Sequence, residues 1–265
     1  MEIKQKIDHS YILLPIEELG QERKVVIKYP DTEIEDTYWI RLANEKIDYW
    51  VKIDVKEYMG QELELILENI DKNSLAVKNI QQSDKFEFEY EETYRPAYHF
   101  TPQYGWMNDP NGMVYYDGEY HLFFQHNPYG NRWQNMHWGH AVSTDLISWT
   151  YLPNRIKPDS LGTIFSGSAI IDEHNTAGFG ENALIAIYTN AGKKQTQSIA
   201  YSNDRGRSFT KYEGNPVLSN PDIPDFRDPK VMWHKETSQW IMSLATKQTI
   251  TFYGSPNLKE WTKLS

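Results

Sequence analysis

Ser143-Thr-Asp-Leu-Ile-Ser-Trp149, Ser202-Asn-Asp-Arg-Gly-Arg-Ser-Phe209 and Ser255-Pro-Asn-Leu-Lys-Glu-Trp261 are three versions of one short pattern. Each is a Ser-x-Asp/Asn turn followed by an aromatic residue that starts another strand. The serines are 59 and 53 residues apart. A period near this length, with β-type composition, predicts propeller blades of about four strands each, every blade burying its faces against its neighbours. Asn111-Gly112 and Asp117-Gly118 flank Met113-Val-Tyr-Tyr116 and are type I′ hairpin signals, with Tyr120-His-Leu-Phe-Phe-Gln125 following. The first blade is therefore expected to open with two hairpins in quick succession. A few blades do not close a ring, and the sequence stops at Ser265 just after the third signature. The expectation is of a larger propeller cut short.

Upstream of the repeats the composition changes. Residues 1–95 hold 13 basic and 22 acidic residues, against 14 and 15 in residues 96–265, and seven of the nine Trp fall in the second part. The shift places a domain boundary near Thr93-Tyr-Arg-Pro96. Within 1–95, Lys24–Tyr29, Thr37–Leu42, Tyr49–Val55, Glu62–Leu67 and Phe86–Tyr90 read as strands, several with period-two alternation. Such strands in about 95 residues fit a small antiparallel sandwich with its glutamates on a solvated face. No catalytic constellation is visible there, so an accessory role is expected. The fold class is thus all-β: a small N-terminal β-sandwich over 1–95, then the first blades of a β-propeller over 96–265.

Composition excludes several functions. The 265 residues carry 27 Lys and Arg against 37 Asp and Glu, a net charge of −10, which argues against nucleic acid or anionic membrane as partner. There is no cysteine, hence no disulfide, thiolate metal site or cysteine nucleophile. No apolar run is long enough for a membrane span. The N-terminus, Met1-Glu-Ile-Lys-Gln-Lys6, carries no secretory h-region, so a periplasmic or secreted location requires that a leader was removed, and the other reading is cytoplasmic. The aromatic loading (9 Trp, 18 Tyr, 10 Phe) favours β structure and also a sugar ligand, because flat rings seat apolar sugar faces.

Two Asp-Pro dipeptides carry the chemistry. One lies in Trp106-Met-Asn-Asp-Pro-Asn-Gly112, the other in Phe226-Arg-Asp-Pro-Lys230. Proline biases the residue before it towards extended backbone, so each Asp is expected at a strand end or strand-turn junction. In a propeller the innermost strands line the axial channel, and Asp109 and Asp228 can then face one hollow from different blades. The competing reading has each Asp capping its own turn. Asn108 and Arg227 supply donors beside the two carboxylates, and Trp106 and Phe226 supply aromatic walls. Paired carboxylates with donors and aromatics are what glycoside cleavage requires.

Trp-Met-Asn-Asp-Pro-Asn-Gly at 106–112, Gln125-His-Asn-Pro128, His137-Trp-Gly-His140, Phe165-Ser-Gly-Ser168 and Arg227-Asp-Pro229 occur in the order seen in glycoside hydrolase family 32, the β-fructofuranosidases, and residues 96–265 resemble that family. The resemblance implies a five-bladed propeller, Asp109 as nucleophile and Asp228 as transition-state stabiliser. It also implies that Asn108, Gln125, Trp133, Phe165, Ser166 and Arg227 line a fructose pocket. The implied reaction is retaining cleavage of terminal β-fructofuranosyl units from sucrose or fructans such as levan and inulin. The implied partner is a fructose-containing oligo- or polysaccharide, with no cofactor and no metal. The family's acid, a Glu on the blade after Arg-Asp-Pro, has no match here. Glu236 and Glu260 are poor substitutes, so the chain alone is expected to be inactive or weak. The alternative is a non-catalytic fructan-binding protein or an inactive truncated form. His126, His137 and His140 lie in a strand-like context that does not suit zinc. Open propeller edges predict self-association.

Overall fold

The computed structural model describes residues 1–30, 35–88 and 90–265. The chain divides into two compact units, Met1–Met107 with Asn127–Asn135, and Asn108–His126 with Met136–Ser265.

The first unit is built from β1 (Glu2–Lys6), β2 (Tyr11–Ile16), β3 (Arg23–Lys28), β4 (Glu35–Ile40), β5 (Tyr49–Asp54), β6 (Glu62–Leu67) and β7 (Gln81–Ser83), with one short helix, α1 (Leu75–Asn79). Among the described residues these form two antiparallel sheets, in the orders β1-β6-β3-β4 and β5-β2-β7. Alternation decides which face is buried. In β4, Asp36, Tyr38 and Ile40 point inward and Glu35, Thr37 and Trp39 outward. Ile12, Leu14, Val25, Ile27, Val51, Ile53, Leu63 and Leu65 share one core between the sheets. Strand β2 shows no alternation, because it lies between β5 and β7 and is apolar on both faces, so a period-two search passes over it. The strand expected at Phe86–Tyr90 does not form over Phe86–Phe88, and Glu89 lies outside the described residues. The rings of Phe86 and Phe88 pack instead against Tyr104, with centroids 5.1 and 5.9 Å away, and Lys52 sits over Phe86. Side-chain packing, not a ladder, fixes that segment.

The second unit holds three further antiparallel sheets. The first comprises β8 (Trp106–Tyr116), β9 (Glu119–Asn127), β10 (His137–Ser143) and β11 (Thr150–Ile156), and β8 and β9 each run over the unit boundary. The second comprises β12 (Thr163–Asp172), β13 (Ala183–Ala191), β14 (Gln195–Ser202) and β15 (Thr210–Lys211), with β16 (Leu218–Ser219) also on β14. The third comprises β17 (Phe226–His234), β18 (Gln239–Thr246), β19 (Thr249–Ser255) and β20 (Thr262–Lys263). In each, consecutive strands are neighbours, which is the up-and-down order of a propeller blade. Ile185, Ile187 and Ile199 of the second sheet pack on Val231, Met242 and Leu244 of the third. Phe123 and Trp138 of the first sheet share a core with Ile164, Leu184 and Tyr188 of the second. Described by themselves, the two units are a small sandwich and a partial propeller.

The three repeats occupy one structural position, the turn from the third to the fourth strand of each sheet. In all three the serine hydroxyl bonds the Asp or Asn two residues on, at 2.9, 2.7 and 3.3 Å. The following residue, Leu146, Arg205 or Leu258, adopts a positive φ of 65, 59 or 63°. Asp117-Gly118 makes the β8–β9 hairpin with positive φ at both residues, as a type I′ turn requires. Asn111-Gly112 makes no hairpin; it lies within β8. Its glycine is needed for a different reason: a Cβ at 112, where φ is +56°, would press on Phe123 and Trp138.

Candidate active site

The carboxylates and the candidate residues with them come from the first strand of each sheet. Strand β8 carries Asn108 and Asp109, β12 carries Phe165 and Ser166, and β17 carries Arg227 and Asp228. The first strands of the second and third sheets are tied together, since Val231 N–H donates to Ser168 Oγ at 3.1 Å. Irregular register turns the functional side chains out of the ladders. One bulge falls between Phe165 and Gly167 and displaces Ser166, and another falls between Arg227 and Lys230 and displaces Asp228. Trp138 Nε1–H donates to the Phe165 carbonyl at 3.0 Å and fixes the first bulge. Asp228 is in the left-handed region, φ +61°, and not in the extended backbone expected before a proline. The bulge overrides the local preference, and Asp is among the residues that tolerate this region.

Asp109 accepts from Ser166 Oγ at 3.0 Å and from Asn108 Nδ2 at 3.0 Å. Two donors thus hold an exposed carboxylate, one from its own strand and one from the neighbouring blade. Burial raises the Asp228 carboxyl above the ordinary aspartate value; Arg227 pulls it down, and the negative charge of Asp109 adds to the rise. Asp228 keeps 53% of its side-chain surface open, so it is only partly desolvated.

Arg227 does not lock Asp228 with its fork: Nε to Oδ2 is 3.9 Å, too long for a hydrogen bond. Its Nη1 donates to Asp225 Oδ1 at 2.5 Å and to Gln195 Oε1 at 3.3 Å. Asp225 and Gln195 are site residues that sequence reasoning missed; Asp225 immediately precedes Phe226-Arg-Asp-Pro and was the one available signal. Gln125 lies on β9, 3% exposed, and its Nε2 has no hydrogen-bond partner among the described residues. A buried amide donor left unpaired is costly and marks a place for a polar ligand atom. Trp133 belongs to the first unit, in the segment Asn127–Asn135, and is 51% exposed.

Glu236 lies in the β17–β18 turn, next to the pair His234–Gln239, at the opposite end of that hairpin from Phe226–Thr246. Over the extended stretch from Asp228 to His234, at about 3.3 Å of rise per residue, it is on the order of 20 Å from Asp228. Glu260 follows β19, whose end pairs with Trp240 at that same far end. Neither reaches the two aspartates. His137 and His140 stand on a strand, with His137 paired across to His126, and His126 Nδ1 bonds Asn154 at 2.9 Å. Among the described residues no group of three His, Asp or Glu side chains stands together as a metal-binding cluster. A cavity in the first unit, lined by Glu92, Arg95, Pro102 and Tyr104, is not this site, because Arg95 is already engaged by Glu92, Thr101 and two backbone carbonyls. Among the described residues no helix is long and apolar enough to cross a membrane.

Comparison with known proteins places these features in context. Residues 99–265 match the family model described as the glycosyl hydrolases family 32 N-terminal domain, and residues 2–98 match a domain of unknown function. A levanase of Bacillus subtilis (strain 168) is 59% identical over 180 residues, covering 66% of this chain and 27% of the relative. A levanbiose-producing levanase of the same organism is 48% identical, covering 63% and 34%. Among solved structures, an exo-inulinase from Aspergillus awamori superposes with a TM-score of 0.63 at 42% identity, covering 67% of this chain and 40% of that one. A fructofuranosidase from Schwanniomyces occidentalis complexed with fructose gives 0.61 at 46%, covering 64% and 36%. The chain therefore spans well under half the length of these relatives.

Proposed function

Residues 99–265 make up well over half of the chain, so the chain belongs to glycoside hydrolase family 32, and from that premise we propose that it forms the nucleophile side of a retaining β-fructosidase acting on terminal fructosyl units of sucrose or fructans. The 3.0 Å hydrogen bond that Ser166 of the neighbouring blade gives Asp109, inside the matched family segment, is the observation that supports this reading. Asp109 is the nucleophile. Its two donors, Ser166 and Asn108, hold the carboxylate in one orientation. Attack of the Asp109 carboxylate on the anomeric carbon breaks the glycosidic C–O bond and forms a fructosyl ester, the departing alcohol's oxygen needing a proton unless the leaving group is already stable as an anion, and water then hydrolyses the ester to free fructose and the Asp109 carboxylate. Asp228 holds ring hydroxyls and offsets the positive charge that builds on the sugar. Gln125, through its unpaired Nε2, together with Asn108, Phe165, Ser166 and Arg227, supplies the binding residues. Residues 1–95 serve as an accessory β domain and 96–265 as the catalytic one. Relatives named levanase and exo-inulinase bring levan and inulin to this chain as substrates to test first.

The test uses a fructosyl donor whose leaving group departs without protonation, so that no general acid is needed. Incubation followed by peptide mass mapping is expected to find the fructosyl group on Asp109, and none in Asp109→Asn. Absence of label, or label on another residue, refutes the reading. Binding of fructan without any labelling favours a non-catalytic fructan-binding protein. Met232, Ile250 and Phe252 are exposed on the third sheet, 58, 57 and 41% respectively, and support self-association through that face, which sedimentation analysis reads directly.

A further inference from the structure

Asp228 sits in a left-handed conformation inside a bulge, which the proline that follows it does not favour locally, so its surroundings must hold it there. The surroundings are specific. Phe226, two residues upstream and fully buried, has both its backbone groups gripped by side chains of the neighbouring sheet. Its N–H donates to Gln195 Oε1 at 2.8 Å, and its carbonyl accepts from Gln197 Nε2 at 2.7 Å. Gln195 and Gln197 are two apart on β14, hence on one face of the strand. Behind them Thr189 Oγ1 donates to Gln197 Oε1 at 2.8 Å, which fixes which end of the amide faces Phe226. On the downstream side of the bulge, Ser168 Oγ holds Val231 N–H. Gln197 and Thr189 are both wholly buried. Burying an amide and a hydroxyl in a core is unfavourable unless every group is paired, and an apolar pair would fill the same volume. What the polar pair adds is a fixed position for the strand that carries Asp228.

We propose that Gln197, oriented by Thr189 and seconded by Gln195, is a positioning residue that sets the Asp228 carboxylate against Asp109 by clamping the backbone of Phe226. Gln197 touches no reacting atom; it acts through the strand. The inference rests on the reading of Asp109 and Asp228 as one site, and it adds how the second carboxylate is held there.

The experiment is a carbon-detected NMR titration of the Asp228 carboxyl in the 265-residue chain, with Gln197→Met and Thr189→Val compared with the parent. Methionine keeps the length of glutamine without its donor, and valine keeps the shape of threonine without its hydroxyl. Amide spectra of β12 and β13 report whether the neighbouring blade stays folded. The expected result is a folded blade with the Asp228 midpoint moved down towards the ordinary aspartate value, further in Gln197→Met than in Thr189→Val. Labelling of Asp109 by the activated donor is expected to slow by about tenfold or more, as misplacement of a catalytic group does. An unmoved Asp228 midpoint in a folded variant overturns the proposal, and if Gln197→Met does not fold, Thr189→Val decides alone. If the parent itself takes no label while the midpoint still moves, the fructosidase reading fails and the positioning role stands.

Discussion

His121 and His140 form a buried pair in the first blade, 2 and 1% exposed, with Nδ1 of one 3.0 Å from Nε2 of the other. The His140 ring stacks on Phe123 at 4.0 Å. Nε2 of His121 and Nδ1 of His140 have no hydrogen-bond partner among the described residues. The charges nearest His121 are Glu119, Arg205 and Arg207, whose effects oppose one another, so burial dominates and lowers its pKa to about 4. Burial, then His121 and Arg207, hold His140 well below the ordinary value. Both imidazoles are therefore neutral in the fold and protonate more readily in the unfolded chain. Stability from the pair is fully present above the unfolded value of about 6.5 and is lost as the pH falls towards 4. For His121 alone the loss between pH 7 and pH 4.5 is on the order of 2 kcal/mol, with His140 adding in the same direction. Two other effects separate cleanly. The exposed Asp84 and Asp145, held at about 2 by hydrogen bonds from His9 and from Ser148 respectively, act only below about pH 4. Asp228, with its carboxyl raised, acts oppositely, because acidification relieves it. Urea unfolding followed by Trp fluorescence at pH 7 and pH 4.5 is expected to show the parent losing about 2–3 kcal/mol more than a His121→Leu/His140→Leu variant. Parallel pH dependence in the two proteins refutes the reasoning.

Other outcomes follow from the same geometry. Asp109→Asn removes a charge that raises Asp228, so the Asp228 titration midpoint falls in that variant; an unchanged midpoint places the two carboxylates in separate surroundings. Gly167→Ala drives a Cβ into the Ile187 carbonyl across the β12 bulge, and a loss of more than about 3 kcal/mol in urea unfolding is expected, with surrounding backbone forced to shift. Ser143→Ala removes a hydroxyl that accepts from the N–H groups of Asp145 and Leu146, and costs about 1 kcal/mol by the same assay, as loss of a comparable turn-capping bond does.

The sequence by itself determined the all-β class, the blade repeat and the two Asp-Pro motifs, because these are written in local chemistry. A Ser-x-Asp/Asn turn makes its hydrogen bonds within a few residues, and all three copies form the same turn with the same positive φ. Asp117-Gly118 makes its hairpin for the same reason, since the turn depends only on its own two residues. Where tertiary packing competes with a local signal, the local signal loses. Asn111-Gly112 stays inside a strand because Phe123 and Trp138 need the space that glycine leaves. Phe86 and Phe88 leave the ladder for Tyr104, and Asp228 takes a left-handed backbone despite the proline that follows. The placement of Asp109 beside Ser166, the hold of Gln195 on Arg227, and the clamp of Gln197 on Phe226 all join strands of different blades. Contacts between residues far apart in the chain leave no periodic trace, so only the packing of one sheet against the next decides them.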